Sequence, residues 1–83
     1  MYKLIIAPRA QRELKAIAKL YRRALADAIE SLKEDPFQGK PLSRDLTKLY
    51  SYKLGVYRII YKVNKKDKRV DIITAGHRAT VYQ

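Results

Sequence analysis

The sequence contains no cysteine and only one histidine. Without thiols there can be no disulfide scaffold, thiolate metal site or cysteine nucleophile, and a single imidazole argues against a metal site built from protein ligands alone. The longest apolar run, Leu4 to Ala7, is far shorter than the ~20 residues that a membrane span needs. The N-terminus also lacks the apolar core of a signal peptide. These absences predict a cytoplasmic protein that needs no cofactor or metal and has no membrane partner.

Proline and glycine are also scarce, with three of each in 83 residues. No stretch has the composition of a linker or a disordered tail. A chain of this length buries only about 60% of the surface that it exposes when unfolded, which supports one core and not two. We therefore expect a single domain that spans residues 1–83.

Acidic residues are few: eight, against 19 Lys and Arg, which gives a net charge of +11. The excess is uneven, because residues 1–35 carry eight basic and five acidic side chains whereas residues 36–83 carry eleven and three. A field of this sign favours nucleic acid or an acidic protein as partner. The second half of the chain is the candidate binding region.

The first half has the pattern of a strand followed by helix. Tyr2 to Ala7 is aliphatic, and Pro8 suits the first position of a helix. The following apolar residues have the spacing of one buried helical stripe that ends at Asp35-Pro36: Ala10, Leu14, Ile17, Tyr21, Leu25, Ala28 and Leu32. One straight helix would be roughly 38 Å long, more than the ~30 Å width of a domain of this size. We therefore predict a break near Lys19 to Tyr21 and a helical hairpin.

The second half changes to tyrosine and β-branched residues, which are typical of strands. After a loop at residues 37–41, three strands are predicted: Leu46 to Leu54, Val56 to Asn64 and Arg69 to Ala75. Gly55 supplies the first tight turn and residues 65–68 the second. The predicted fold is α+β, with an N-terminal strand, a helical hairpin and a three-stranded antiparallel meander against which the helices pack.

A two-residue turn at Gly55-Val56 fixes a register in which Lys53 faces Arg58 on the side of the sheet away from the helices. Continuing that register with Val63 opposite Val70 places Lys62 opposite Asp71 and Ile60 opposite Ile73, with Ala75 beside Arg58. Like charges that face each other across strands destabilise a sheet. Lys53 and Arg58 therefore either splay apart into water or hold a phosphate between them.

The end of the chain, Gly76 to Tyr82, brings together His77, Arg78 and Tyr82. Such groups suit proton transfer. Structural roles are equally compatible with the sequence: a histidine that caps the strand, an arginine paired with a carboxylate, and a tyrosine that anchors the tail.

Taken together, several segments resemble the RelE family within the RelE/ParE toxin superfamily over nearly the full length. The segments that carry the resemblance are Pro8-Arg9-Ala10, Leu32 to Pro36, Gly39 to Leu42, Lys53 to Tyr61, and Gly76-His77-Arg78 with Tyr82. The resemblance implies a compact domain of the microbial ribonuclease type that enters the ribosomal A site and cuts messenger RNA without a metal. The attacking group would be the ribose 2′-hydroxyl. It also implies a RelB-type antitoxin as partner and a toxin that is a monomer when alone.

The resemblance also assigns roles to residues of this chain. Arg58 and Arg78 would stabilise the phosphate and the leaving group, Tyr82 would be the base, and Lys53 would be the nearest match to a basic pair before the turn. Candidate RNA contacts are His77, Arg44 and Lys48. Two alternatives remain from other classes: a ParE-type toxin that inhibits DNA gyrase by binding without cleaving nucleic acid, and a non-catalytic nucleic-acid-binding module, for which the charge alone would suffice.

Overall fold

The computed structural model describes residues 1–42 and 49–77. In chain order the elements are strand β1 (Lys3–Ile6), helix α1 (Pro8–Glu34), a 3₁₀ turn (Pro36–Gln38), and strands β2 (Lys40–Pro41), β3 (Leu49–Leu54), β4 (Tyr57–Asn64) and β5 (Arg69–His77). This architecture confirms the predicted α+β class, with α1 on one face of the sheet. The face away from α1, which carries Lys53 and Arg58, is termed the open face, although Ser51 and Ile60 on it are buried.

Helix α1 starts at Pro8 and buries all but one residue of the predicted stripe: Ala10, Leu14, Ile17, Leu25, Ala28 and Leu32. Tyr21, predicted as part of that stripe, is instead exposed. The predicted break is confirmed at Tyr21, where the backbone has φ −131° and ψ 44°. Two helical segments meet at a kink at this one non-helical residue, without the intervening loop of an ordinary hairpin. A straight 27-residue helix would be about 40 Å long, whereas the longest dimension of the molecule is 34 Å. The helix must therefore bend to stay on the sheet.

The sheet has five strands in the order β1-β5-β4-β3-β2. Its centre, β3-β4-β5, is the predicted antiparallel meander, and β1 joins it by parallel pairing with β5. The segment predicted as a loop at residues 37–41 instead contains part of the 3₁₀ turn and β2, which pairs with β3. The first predicted strand begins at Leu49 in the described chain, and residues 46–48 lie outside it.

The β3-β4 register is the predicted one, with Lys53 opposite Arg58, and Gly55 takes the left-handed conformation at φ 61°. The β4-β5 register is the predicted one from Val63 opposite Val70, through Lys62 opposite Asp71, to Tyr61 opposite Ile72, and it changes after that pair. A bulge leaves Ile60 opposite Thr74 instead of Ile73, and brings Gly76 instead of Ala75 opposite Arg58. Ala75 is consequently buried in the core. The sequence rule of strict alternation fails here because one residue is inserted in β5.

The core contains one buried polar group that fastens the start of β2 to the sheet. The Tyr61 hydroxyl donates to the Pro36 carbonyl oxygen at 2.7 Å and accepts from the Gly39 amide at 3.2 Å. Burial raises the pKa of Tyr61 to about 12. A Cβ on Gly39 would collide with this hydroxyl. The absence of a side chain at Gly39 thus allows the turn after α1 to lie directly against β4.

Candidate active site

Two basic side chains face each other at one end of the open face of the sheet. Lys53 on β3 lies directly opposite Arg58 on β4, and the neighbour of Arg58 on β5 is Gly76, which has no side chain. The Nη1 atom of Arg58 is buried and has no hydrogen-bond partner within residues 1–42 and 49–77. Buried polar groups in proteins are nearly always hydrogen-bonded, and a buried cationic donor without a partner is costly. The guanidinium therefore has an unused donor where an anion could bind.

A groove of about 340 Å³ adjoins Arg58, and its described lining consists of Gln38, Lys40, Ser51, Tyr52, Lys53 and Arg58. Three of these residues are cations and none is acidic. Lys40 was not a candidate from the sequence, because its place beside the site depends on the pairing of β2 with β3, which puts it opposite Ser51. The groove thus concentrates positive charge from three consecutive strands.

A larger depression, of about 610 Å³, lies among Phe37, Tyr50, residues 62–66, Arg69 and Asp71. Its cations are partly neutralised, because Arg69 Nε donates to Asp71 at 2.9 Å and Lys62 faces Asp71 across the strands. Volume alone does not identify a phosphate site. We place the candidate site at the smaller groove because its cations have no acidic neighbour in the described lining.

The other predicted site residues are placed as follows. His77 lies opposite Tyr57, and the two rings make an edge-on contact with centroids 6.1 Å apart. Because Tyr57 packs against the core, His77 projects to the helix side of the sheet, away from Arg58. The structure thus brings together Lys53 and Arg58 but not His77. Arg44, Lys48, Arg78 and Tyr82 lie outside the described residues.

Glu13 on α1 is a further residue near the site that the sequence did not single out. Its Oε1 accepts from Thr74 Oγ1 at 2.8 Å and from the Ala75 amide at 3.1 Å, and its Oε2 accepts from Arg9 Nε at 3.3 Å. The only local signal in the sequence is its spacing of four from Arg9, which is ordinary for a helix surface. Glu13 is separated in sequence from its two partners on β5 by 61 and 62 residues.

Within residues 1–42 and 49–77, no group of three or more histidine and acidic side chains is arranged to hold a metal ion. The described part of the chain likewise contains no helix that is long and apolar enough to cross a membrane.

Comparison with known proteins identifies the family. Residues 4–82 match the family model of the ParE toxin of type II toxin–antitoxin systems, parDE. The chain belongs to the RelE/ParE superfamily of toxins. Among curated proteins, toxin RelG of Mycobacterium tuberculosis is 36% identical over 70 residues, covering 78% of this chain and 80% of RelG. Toxin RelE of the same organism is 31% identical over 84 residues, covering 99% of this chain and 87% of RelE.

The solved structures agree with this assignment to the RelE/ParE superfamily. The toxin–antitoxin complex RelBE2 of M. tuberculosis contains a chain with 33% identity and a TM-score of 0.70, and the match covers 93% of this chain and 98% of that one. The protein is therefore a toxin of the type II toxin–antitoxin class. The family model carries the name of the ParE branch, whereas the two curated relatives carry names of the Rel type. These names do not decide whether the toxin has the activity of the RelE branch or of the ParE branch. The residues of the candidate site bear on that question.

Proposed function

We propose that this RelE/ParE toxin is an endoribonuclease that cleaves messenger RNA in the ribosomal A site without a metal ion. The proposal is supported mainly by the buried Nη1 atom of Arg58, which has no hydrogen-bond partner among the described residues and adjoins a groove with Lys40 and Lys53. A toxin that acted by binding a protein would not need an unused guanidinium donor in a cationic groove. A phosphodiester supplies the missing acceptors.

The chemistry is a transfer within the RNA. The ribose 2′-oxygen forms a bond to the adjacent phosphorus as its proton passes to a base. The bond from phosphorus to the 5′-oxygen breaks and that oxygen takes up a proton from solvent, leaving a cyclic phosphate and a 5′-hydroxyl. Negative charge grows on the equatorial oxygens in the transition state. A fixed guanidinium complements that charge without reorganising, which makes Arg58 the main stabilising group.

The remaining roles follow from the family resemblance. Tyr82 is the base for the 2′-hydroxyl, and Arg78 acts with Arg58 on the phosphate and the leaving group. A phenol with a pKa near 10 is a weak base unless cations stabilise the phenolate, which is the role we give to Lys53. Arg44 and Lys48 would contact RNA beyond the cleaved phosphate. His77, on the helix side of β5, would contact RNA only outside the groove.

The partner proposed for the resting toxin is a RelB-type antitoxin. The support is the M. tuberculosis RelBE2 complex, in which the similar chain is held in a toxin–antitoxin assembly. An acidic segment of an antitoxin would neutralise the net charge of +11 and cover the groove beside Arg58.

Mapping of messenger RNA ends by primer extension, in cells or in a ribosome-containing extract, tests the proposal directly. The wild-type toxin should produce discrete cuts, and Arg58→Ala and Arg78→Ala should each lower the cleavage rate by about 10² to 10³, the usual loss for one transition-state contact. Lys62→Ala is the matched control, because Lys62 lies on the same open face of β4 but opposite Asp71. It should cleave at nearly the wild-type rate.

Tyr82→Phe separates chemistry from binding. It should keep the melting temperature and the affinity for the antitoxin, since it removes only a hydroxyl, yet lose cleavage. Full cleavage by this variant would remove Tyr82 from the role of base.

The ParE-type alternative has its own support in the name of the matching family model. It predicts that purified toxin inhibits supercoiling by DNA gyrase and that Arg58→Ala and Tyr82→Phe both still arrest growth. Discrete RNA cuts by the wild-type toxin, with gyrase unaffected, would exclude that alternative. Gyrase inhibition without any cut would overturn the ribonuclease proposal.

A further inference from the structure

The end of β5 is held at the sheet edge by a side chain from the helix. Strand β1 pairs with β5 only at residues 69–72, whereas β5 continues to His77. Just past the last paired residue, the Ala75 amide and the Thr74 hydroxyl both donate to one carboxylate oxygen of Glu13. The carboxylate thus replaces the strand partner that the edge lacks.

The same two residues follow directly after the bulge in β5, which lies where the register against β4 shifts between Ile60 and Tyr61. A shift of one residue exchanges the faces of every side chain that follows. The bulge sends Ala75 into the core, brings Gly76 to the position beside Arg58, and sets His77 against Tyr57. With a regular strand, Ala75 would lie beside Arg58, as strict alternation predicts from the sequence.

We propose that Glu13 is a positioning residue, whose carboxylate fixes the bulge and thereby sets the face on which β5 presents Gly76 and His77 just before Arg78. Bulges re-aim side chains beside active sites. Hydrogen bonds to an ionised acceptor are roughly twice as strong as those between neutral groups, so a carboxylate holds an edge amide better than water does. The expected effect of Glu13 on catalysis rests on the proposed ribonuclease function. Its expected effect on the register of β5 is independent of that function.

The test compares Glu13→Ala and Glu13→Gln with two controls. Arg9→Ala removes the exposed partner of the carboxylate but leaves both bonds to β5. Tyr61→Phe keeps the ring beside the bulge and removes only the hydroxyl bonds to Pro36 and Gly39, so it lowers stability without removing a bond to Thr74 or Ala75. Two sets of measurements are made on each protein well below its melting temperature. Proton NMR reports the contact between the Tyr57 and His77 rings and the chemical shift of the Ala75 amide. Kinetics of RNA cleavage give kcat and KM.

We expect Glu13→Ala to lose the contact between the Tyr57 and His77 rings and to move the Ala75 amide signal. We also expect it to lower kcat about 10- to 100-fold, as a misplacement of about 1 Å commonly does. KM should change little, because Lys53 and Arg58 stay in place. Glu13→Gln keeps a side-chain oxygen that can accept from β5 and should retain most of kcat and the ring contact. Both control variants should match the wild type in both measurements.

The inference is overturned if Glu13→Ala keeps the ring contact and a kcat equal to that of Tyr61→Phe, because Glu13 would then contribute only stability. If Glu13→Ala does not fold, Thr74→Val replaces it. This variant removes one of the two bonds and should shift the same signals by a smaller amount, and unchanged signals would again refute the idea. If the wild-type toxin shows no cleavage, the proposed function fails, and loss of the ring contact in Glu13→Ala still supports the positioning role.

Discussion

Replacing Tyr61 by Phe probes the hydrogen bonds that join the turn after α1 to the sheet. The substitution keeps the buried ring and its stacking on Tyr50, at 5.6 Å between centroids, but removes the hydroxyl. The Pro36 carbonyl loses a donor at 2.7 Å and the Gly39 amide loses an acceptor at 3.2 Å. An unsatisfied buried group costs about 1–3 kcal/mol. Because the bond to Gly39 is longer and only partly buried, we expect a total loss of about 2 kcal/mol.

A loss of that size lowers the melting temperature of a domain of 60–100 residues by about 8–16 °C. The pH dependence gives a second signature. The unfolded chain ionises Tyr61 near pH 10 while the folded protein retains the proton up to about pH 12, so the contribution is fully present below pH 10 and is lost as the pH rises towards 12. The stability gap of about 2 kcal/mol between wild type and Tyr61→Phe should therefore close over that interval, because the raised pKa of Tyr61 corresponds to up to about 3 kcal/mol.

The assay is urea unfolding followed by tyrosine fluorescence and circular dichroism at several pH values. Tyr50→Phe is the matched control, because it stays in the same aromatic stack and its hydroxyl makes no hydrogen bond in the described part of the chain. It should change stability by less than about 0.5 kcal/mol. If Tyr61→Phe is as stable as this control at pH 7, the buried hydrogen bonds do not contribute as argued.

Two further predictions concern the β3-β4 turn and the charge of the toxin. Gly55→Ala should lower stability by about 1 kcal/mol in thermal unfolding, because Gly55 has φ 61° and the left-handed region disfavours side chains. The added Cβ would meet the Tyr21 ring only at 3.8 Å, so Gly55→Asn, which tolerates that conformation, should recover part of the loss. The association rate with an acidic antitoxin, measured by stopped flow, should fall steeply between low and high salt, and a flat rate would contradict electrostatic steering.

The sequence predicted the parts of the fold that depend on local pattern. The buried stripe of α1 follows from 3.6-residue periodicity, and the pairing of Lys53 with Arg58 follows from a turn that needs glycine at a positive φ. The break at Tyr21 was predicted from helix length alone. At the break, the Tyr21 ring makes an edge-on contact with the Tyr57 ring, with centroids 5.7 Å apart. This tertiary contact is not marked by a Gly or Pro in the sequence.

The features that the sequence did not reveal depend on residues distant in the chain. The bulge in β5 lies beside Glu13, 61 residues earlier, and nothing in Thr74-Ala75 marks an inserted residue. Lys40 reaches the site only through the pairing of β2 with β3. At the site itself, the sequence identified Lys53 and Arg58 through their register, but the placement of His77 on the helix side required the bulge.

The pairing of β1 with β5 also determines the order in which the toxin can be completed during synthesis. Residues 3–6 are made 66 residues before their parallel partners, residues 69–72. Until that last strand has left the ribosome, β1 has no strand to pair with, and closing a loop of this length is entropically unfavourable. The central strand β4 also pairs with β5, so the Arg58 groove acquires its Gly76 neighbour only after β5 has been synthesised. A toxin built in this way cannot complete its sheet or its cationic groove before β5 has been synthesised.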